Sequence, residues 1–230
     1  MNEGLRSDAP WGAFEVKDCA LVAIATGRRA RNLLELRDEI RTIDAGSIYF
    51  HFWGSLLRPT FDDPRFHNGF AIWADHALRH TALAEKLSAI DPADFSDMEA
   101  LRNRIVEVVD EDLALTGTVP AAPEGAEFDF IRSQIVIFDT GREVTNPADL
   151  PDTVARMSRS SVFYHFIDAR RRTPDNVDDF TTWLADIDRA GHAELCTRLA
   201  GIDPFYGSLV ETREELVAVL SDFLGAKDSV

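Results

Sequence analysis

Two stretches of the chain place a histidine among large apolar residues: SIYFHF at 47–52 and SVFYHF at 161–166. The neutral imidazoles of His51 and His165 could ligate a metal or act as a base near pH 7. Arginines accompany them. Arg28 and Arg142 each follow a Thr-Gly pair, and Arg58 and Arg172 each stand seven residues past a histidine. A guanidinium pairs with phosphate or carboxylate through two parallel hydrogen bonds. Thr-Gly at a strand end would add exposed backbone N–H groups that form an anion-binding nest. His51, His165, Arg28, Arg142, Arg58 and Arg172 are therefore the candidate ligand-binding residues. Opposed to this stands a structural reading. The histidines would be packed side chains bonded to backbone or carboxylate, and the arginines would pair with carboxylates such as Asp38 and Asp152.

Other chemistry is thinly represented. His76 and His80 form H-x-x-x-H, which puts two imidazoles on one helical face, but no glutamate follows His76 and the second half has no equivalent pair. They are weak metal candidates, and no metal or cofactor is expected. Cys19 and Cys196 are too few for a disulfide framework or a four-cysteine zinc site, and read as reduced, packed thiols. The chain lacks G-x-x-x-x-G-K-[ST], G-x-G-x-x-G and G-x-S-x-G. No catalytic residue is assigned.

The elements that carry these side chains occur twice. Placing residue 14 over residue 128 matches Phe14 with Phe128, Thr26-Gly27-Arg28 with Thr140-Gly141-Arg142, Asn32 with Asn146, and His51-Phe52 with His165-Phe166, without a gap. After short length changes, Phe70-x-x-Trp73 meets Phe180-x-x-Trp183, His80 meets His192, and Ser96-x-x-Glu99 meets Ser208-x-x-Glu211. Such self-similarity is the mark of an internal duplication. The expected organisation is a flexible start (1–13), copy 1 (14–114), a Pro/Gly/Ala-rich linker (115–127), copy 2 (128–224) and a flexible tail (225–230).

Within each copy, CALVAIATG and SQIVIFDTG read as buried strands ending at glycine. Asn32 and Asn146 are N-cap residues for the next helix, and Ser47 and Ser161 are expected to cap the histidine helix. The Phe-x-x-Trp helix breaks near Arg79 or Gly191 and restarts. It stops at Asp91-Pro92 or Asp203-Pro204, before a capping box that opens the last helix. The expected fold is α+β and predominantly helical: a strand plus four to five helices, duplicated. Because a lone strand leaves backbone groups unpaired, the two strands should pair, giving one compact domain with pseudo-twofold symmetry.

The pattern F…TG…N…L…L, then S-φ-x-x-H-F, D-F-x-x-W and L-x-x-L-x-x-I-D-P, resembles an uncharacterised prokaryotic family, a domain of unknown function, present as two tandem copies. The resemblance implies a stable fold and supplies no catalytic residue.

Charge narrows the partners. With 40 acidic and 24 basic residues the net charge is -16, which opposes nucleic-acid and anionic-membrane binding. Such acidity would suit either a saline habitat or a biased genome. No apolar run approaches a membrane span, and a cytoplasmic location is expected. The leading expectation is a noncatalytic binding or adaptor module for a partner protein or a small anionic ligand, of undetermined oligomeric state. The alternative is a hydrolase or transferase of a phosphorylated or sugar-like substrate that uses the repeated His and Arg residues.

Overall fold

The computed structural model describes residues 12–57, 65–117, 119–173, 175–204 and 207–227. The fold is α+β and mostly helical, with two long strands, β1 (Phe14–Ala30) and β2 (Phe128–Val144), that form a two-stranded sheet. Thr26 Oγ1 donates to the Phe130 carbonyl and Thr140 Oγ1 to that of Val16. One index falls as the other rises, so the strands run antiparallel.

The chain divides into two compact units. One is continuous, Leu21–Ile135. The other is split, Met1–Ala20 with Val136–Val230. The expected single compact domain is thus resolved into two, and the division cuts both strands. Aromatic packing is the reason. Phe14 opens β1 but packs in the split unit on Phe180 and Trp183, with ring centroids 5.2 and 5.6 Å away. Phe128 opens β2 but packs in the continuous unit on Phe70 and Trp73, at 5.1 and 5.6 Å. Each strand start buries against the helices of the other half of the sequence. Burying one such Phe contributes about 2 kcal/mol.

The continuous unit contains α1 (Leu33–Ile40), α2 (Ala45–Trp53), α3 (Gly69–His76), α4 (Thr81–Ser88) and α5 (Met98–Thr116). Leu33, Leu36, Ile48, Phe70, Leu83 and Ile105 form its core. The split unit contains α6 (Leu150–Ala155), α7 (Arg159–Val162), a π-helical turn (Phe163–Asp168), α8 (Ala169–Arg172), α9 (Asp179–Asp188), α10 (Ala193–Ala200) and α11 (Leu209–Lys227). Phe163, Phe166, Phe180, Leu195, Leu216 and Leu220 are buried there.

Several caps follow the sequence. Asn32 accepts from Glu35 N, Asn146 from Ala148 N, and Ser208 and Glu211 form a reciprocal capping box. Others move. Asp44 caps α2 and Ser158 caps α7, so Ser47 and Ser161 lie inside their helices and are buried. Asp97, not Ser96, caps α5. The expected helix break is real: Arg79, at φ 55°, separates α3 from α4.

The strands are not buried throughout. Phe14, Val16 and Cys19 of β1, and Phe128 and Phe130 of β2, are covered, whereas Val22, Val136, Ile137 and Phe138 are exposed. Nor do the strands end at Thr-Gly. Gly27 and Gly141 take φ of 74° and 67°, and both strands continue past them. Positive φ at a glycine inside an antiparallel pair is bulge geometry. Glycine was read as a stop because composition does not separate a bulge from a turn.

Candidate functional site

The histidine turn of the split unit is its most polar buried feature. Ser158 caps α7 and starts the run; Val162, Phe163 and Phe166 bury their side chains and fix its orientation. The next residues form a π-helical turn, a geometry that re-aims side chains and recurs at functional sites. His165 projects into the aromatic set, 4.9 Å from Phe14 and 5.9 Å from Phe180, and is 2% exposed. Its Nε2 accepts the backbone N–H of Lys17 at 2.8 Å. Its Nδ1 lies 2.8 Å from Asp179 Oδ2, a carboxylate that can only accept, so Nδ1 carries the proton. Ser161 Oγ donates to the Lys17 carbonyl at 2.7 Å. One turn of helix thereby satisfies both the N–H and the C=O of a single strand residue.

Arg172 completes the cluster. Its Nε donates to Asp168 Oδ2 at 2.8 Å. One terminal nitrogen donates to Asp179 Oδ2 and to the Tyr164 carbonyl, at 3.0 and 2.9 Å. Its guanidinium carbon lies 4.0 Å from the Tyr164 ring centroid. Asp168 is buried and also bonded by Arg171. Burial pushes the Tyr164 hydroxyl above its ordinary range; burial opposes the charge of Arg172, but the carboxylates of Asp179 and Asp168 help to outweigh it and Arg172 is raised. Sequence thus pointed to His165 and Arg172, and the fold joins them through Asp179, the first residue of α9. The cap of α9 is its neighbour Asp178, which accepts from Thr181 N and is raised by burial.

In the continuous unit His51 Nε2 faces the backbone N–H of Ile131 at 3.4 Å, again a strand residue. Phe128, Phe70 and Phe50 surround the ring, at 4.5, 5.3 and 5.3 Å. The position that Asp179 holds, one residue past the helix cap, is here Gly69 after the cap Asn68, and an added Cβ there would come within 2.8 Å of His51 Nδ1. Arg58 lies outside the described residues.

Arg28 and Arg142 do not form nests. The Arg28 N–H is taken by Thr26 Oγ1 at 3.1 Å, and its guanidinium pairs with Glu39 and donates to Thr42 Oγ1 at 2.6 Å. The Arg142 N–H is held by Thr140 Oγ1, and that of Gly141 by Asp139. The bulge folds each loop back on its own side chain, which consumes the donors that a strand end would have offered. Asp38 pairs with Arg37, and Asp152 with Arg156.

The metal candidates separate. His76 is exposed at the end of α3. His80, beyond the break, accepts from Leu83 N through Nδ1 at 3.3 Å and places Nε2 2.9 Å from the buried Asp112. His192 donates from Nδ1 to the Leu184 carbonyl at 3.0 Å. Among the described residues, no group of three His, Cys, Asp or Glu is arranged to hold a metal ion. Among the described residues, no helix is long and apolar enough to cross a membrane.

A neutral imidazole has a single lone pair for a proton. In His165 that pair faces a backbone N–H at hydrogen-bond distance, and in His80 it faces a helix N-terminus. The geometry positions strands and caps, and it leaves these rings no acceptor for a substrate proton.

Comparison with known proteins agrees on the fold. Residues 12–221 match, as one copy, a family of unknown function, DUF5752. A single match over both halves makes the family unit the whole length, where a unit of one half was expected. The structure of OrfY from Thermoproteus tenax is similar, with 29% identity, a TM-score of 0.79, and coverage of 95% of this chain and 97% of that one. No curated protein matches.

Proposed function

The chain belongs to the DUF5752 family of unknown function, and we propose that within it this protein is a noncatalytic binding module for a partner protein, built by internal duplication of a strand-and-helix unit. The observation that carries this reading is the use of His165: Nε2 closes a strand N–H while Nδ1 and Arg172 share Asp179. Arg28 and Arg172 are likewise engaged by carboxylates. At His165, Arg28 and Arg172 this weakens both the small-anion version and the hydrolase or transferase alternative, which need a free base and a free guanidinium. The recurrence of a histidine Nε2 at a strand N–H in each unit supports duplication. The -16 charge fits a cytoplasmic protein with a protein partner.

The test has two arms. The purified chain is assayed against p-nitrophenyl phosphate and p-nitrophenyl glycosides, and by thermal shift with anionic metabolites and divalent metals. It is also tagged and recovered from its native host. The reading expects no turnover, no ligand-induced shift and a stoichiometric protein partner, retained by His165→Gln. Saturable turnover that disappears in His165→Gln would overturn it.

A further inference from the structure

Resting on that binding-module reading, we propose that Val136–Phe138 of β2 is a docking edge. It takes an extended segment of a partner protein, apolar at alternate positions and rich in lysine or arginine between them, as an added strand. In a two-stranded sheet each strand has an edge outside the ladder, whose N–H and C=O groups can pair with another chain. Nearer the strand starts, side chains close such groups: His165 takes the Lys17 N–H, Asp18 the Cys19 N–H, and His51 faces that of Ile131. Val136, Ile137 and Phe138 are 39%, 50% and 48% exposed. Successive strand residues point to opposite faces, so exposure at three in a row means that neither face is covered. A strand apolar on both faces belongs in the middle of a sheet. The segment carries no lysine or proline to blunt pairing, and its bulge comes only at Gly141.

Charge selects the occupant. Asp139 directly follows the segment with its side chain 72% exposed, and Glu15 and Glu143 are exposed on the same unit; Lys17, which pairs with Glu15 at 2.6 Å and with Asp139 at 3.5 Å, offsets one of these three charges. A second copy would bring the same -16 charge to the contact, whereas a basic segment meets its complement.

The probe is a fluorescein-labelled peptide of alternating lysine and valine, read by anisotropy on the full chain. Controls are the glutamate–valine peptide and a lysine–valine peptide N-methylated on one edge, which removes ladder donors. The expected result is saturable binding of the lysine–valine peptide below about 1 mM, weakening in about 0.5 M salt. Ile137→Lys and Phe138→Lys, each at an exposed position and checked for unchanged melting, should each weaken it about tenfold. The N-methylated peptide should not bind. Equal binding by either lysine variant, equal binding of the glutamate–valine peptide, or no saturable binding would overturn the proposal. So would a dimer by light scattering that Ile137→Lys dissolves, since the edge would then serve a second copy. A native partner recovered equally well by Ile137→Lys would overturn the edge and leave the binding-module reading standing. Turnover by the purified chain would overturn that reading without altering the peptide result.

Discussion

Replacing His165 by asparagine and by glutamine separates the two bonds its ring makes. An asparagine amide nitrogen falls near Nδ1 and can still reach Asp179; a glutamine amide oxygen extends to the place of Nε2 and can still accept from Lys17. Asparagine orphans a partly buried backbone donor, which costs about 1–3 kcal/mol. Either replacement also loses ring contact with Phe14 and Phe180, about 1 kcal/mol more in each. Glutamine leaves Asp179 to Arg172 alone, a loss of about 1–2 kcal/mol. For a chain of this size, the asparagine loss of about 2–4 kcal/mol lowers Tm by roughly 4–16 °C, and more than glutamine does. Amide hydrogen exchange localises the effect. The Lys17 N–H should exchange about tenfold or more faster in the asparagine variant, since each 1.4 kcal/mol of opening free energy is a factor of ten. In the glutamine variant it should stay near the wild-type rate. A wild-type exchange rate at Lys17 together with an unchanged melting point in His165→Asn would refute the structural role of the ring. So would a glutamine variant less stable than the asparagine one.

Three further outcomes are expected. Burial raises Asp178 above its unfolded value, so the folded chain binds its proton more tightly, and ionisation as pH rises above the unfolded carboxylate range costs stability. Asp178→Asn keeps an acceptor for Thr181 N, and its stability relative to wild type should increase from acid to neutral pH in urea titrations; a difference independent of pH would contradict this. Burial pushes the Cys19 thiol up to about 12, so at pH 8 its labelling by a thiol reagent should proceed only at the rate of unfolding; rapid labelling of the folded chain would be inconsistent. Gly69→Ala places a Cβ 2.8 Å from His51 Nδ1 and should cost about 1–3 kcal/mol by overpacking; a neutral effect in thermal melts would show that the ring has room to move.

Much of the framework was legible in the sequence because it is local. The 3–4 spacing of Phe70 and Trp73, the cap at Asn32, the capping box of Ser208 and Glu211 and the break at Arg79 each depend on residues within one turn. Caps were misplaced where a competing Asp or Ser stood nearby, as Asp44 does before Ser47 and Asp97 beside Ser96. The Thr-Gly pairs were read as strand ends because glycine marks both bulges and turns, and only the register of the partner strand tells them apart. Asp179 escaped as a partner of His165 because it lies fourteen positions further on, across the turn that brings them together.

The sequence by itself determined that a histidine, a serine and an arginine recur in a helical framework, and that the surface is strongly acidic. The tertiary structure decided what those side chains do. His165 meets a backbone N–H 148 residues away, and Phe14 packs on helices from the far end of the chain. Side-chain patterns can be read along a chain. A backbone donor looks the same at every residue, so which one meets a given lone pair is set only when the strands pair and their starts pack against the opposite half.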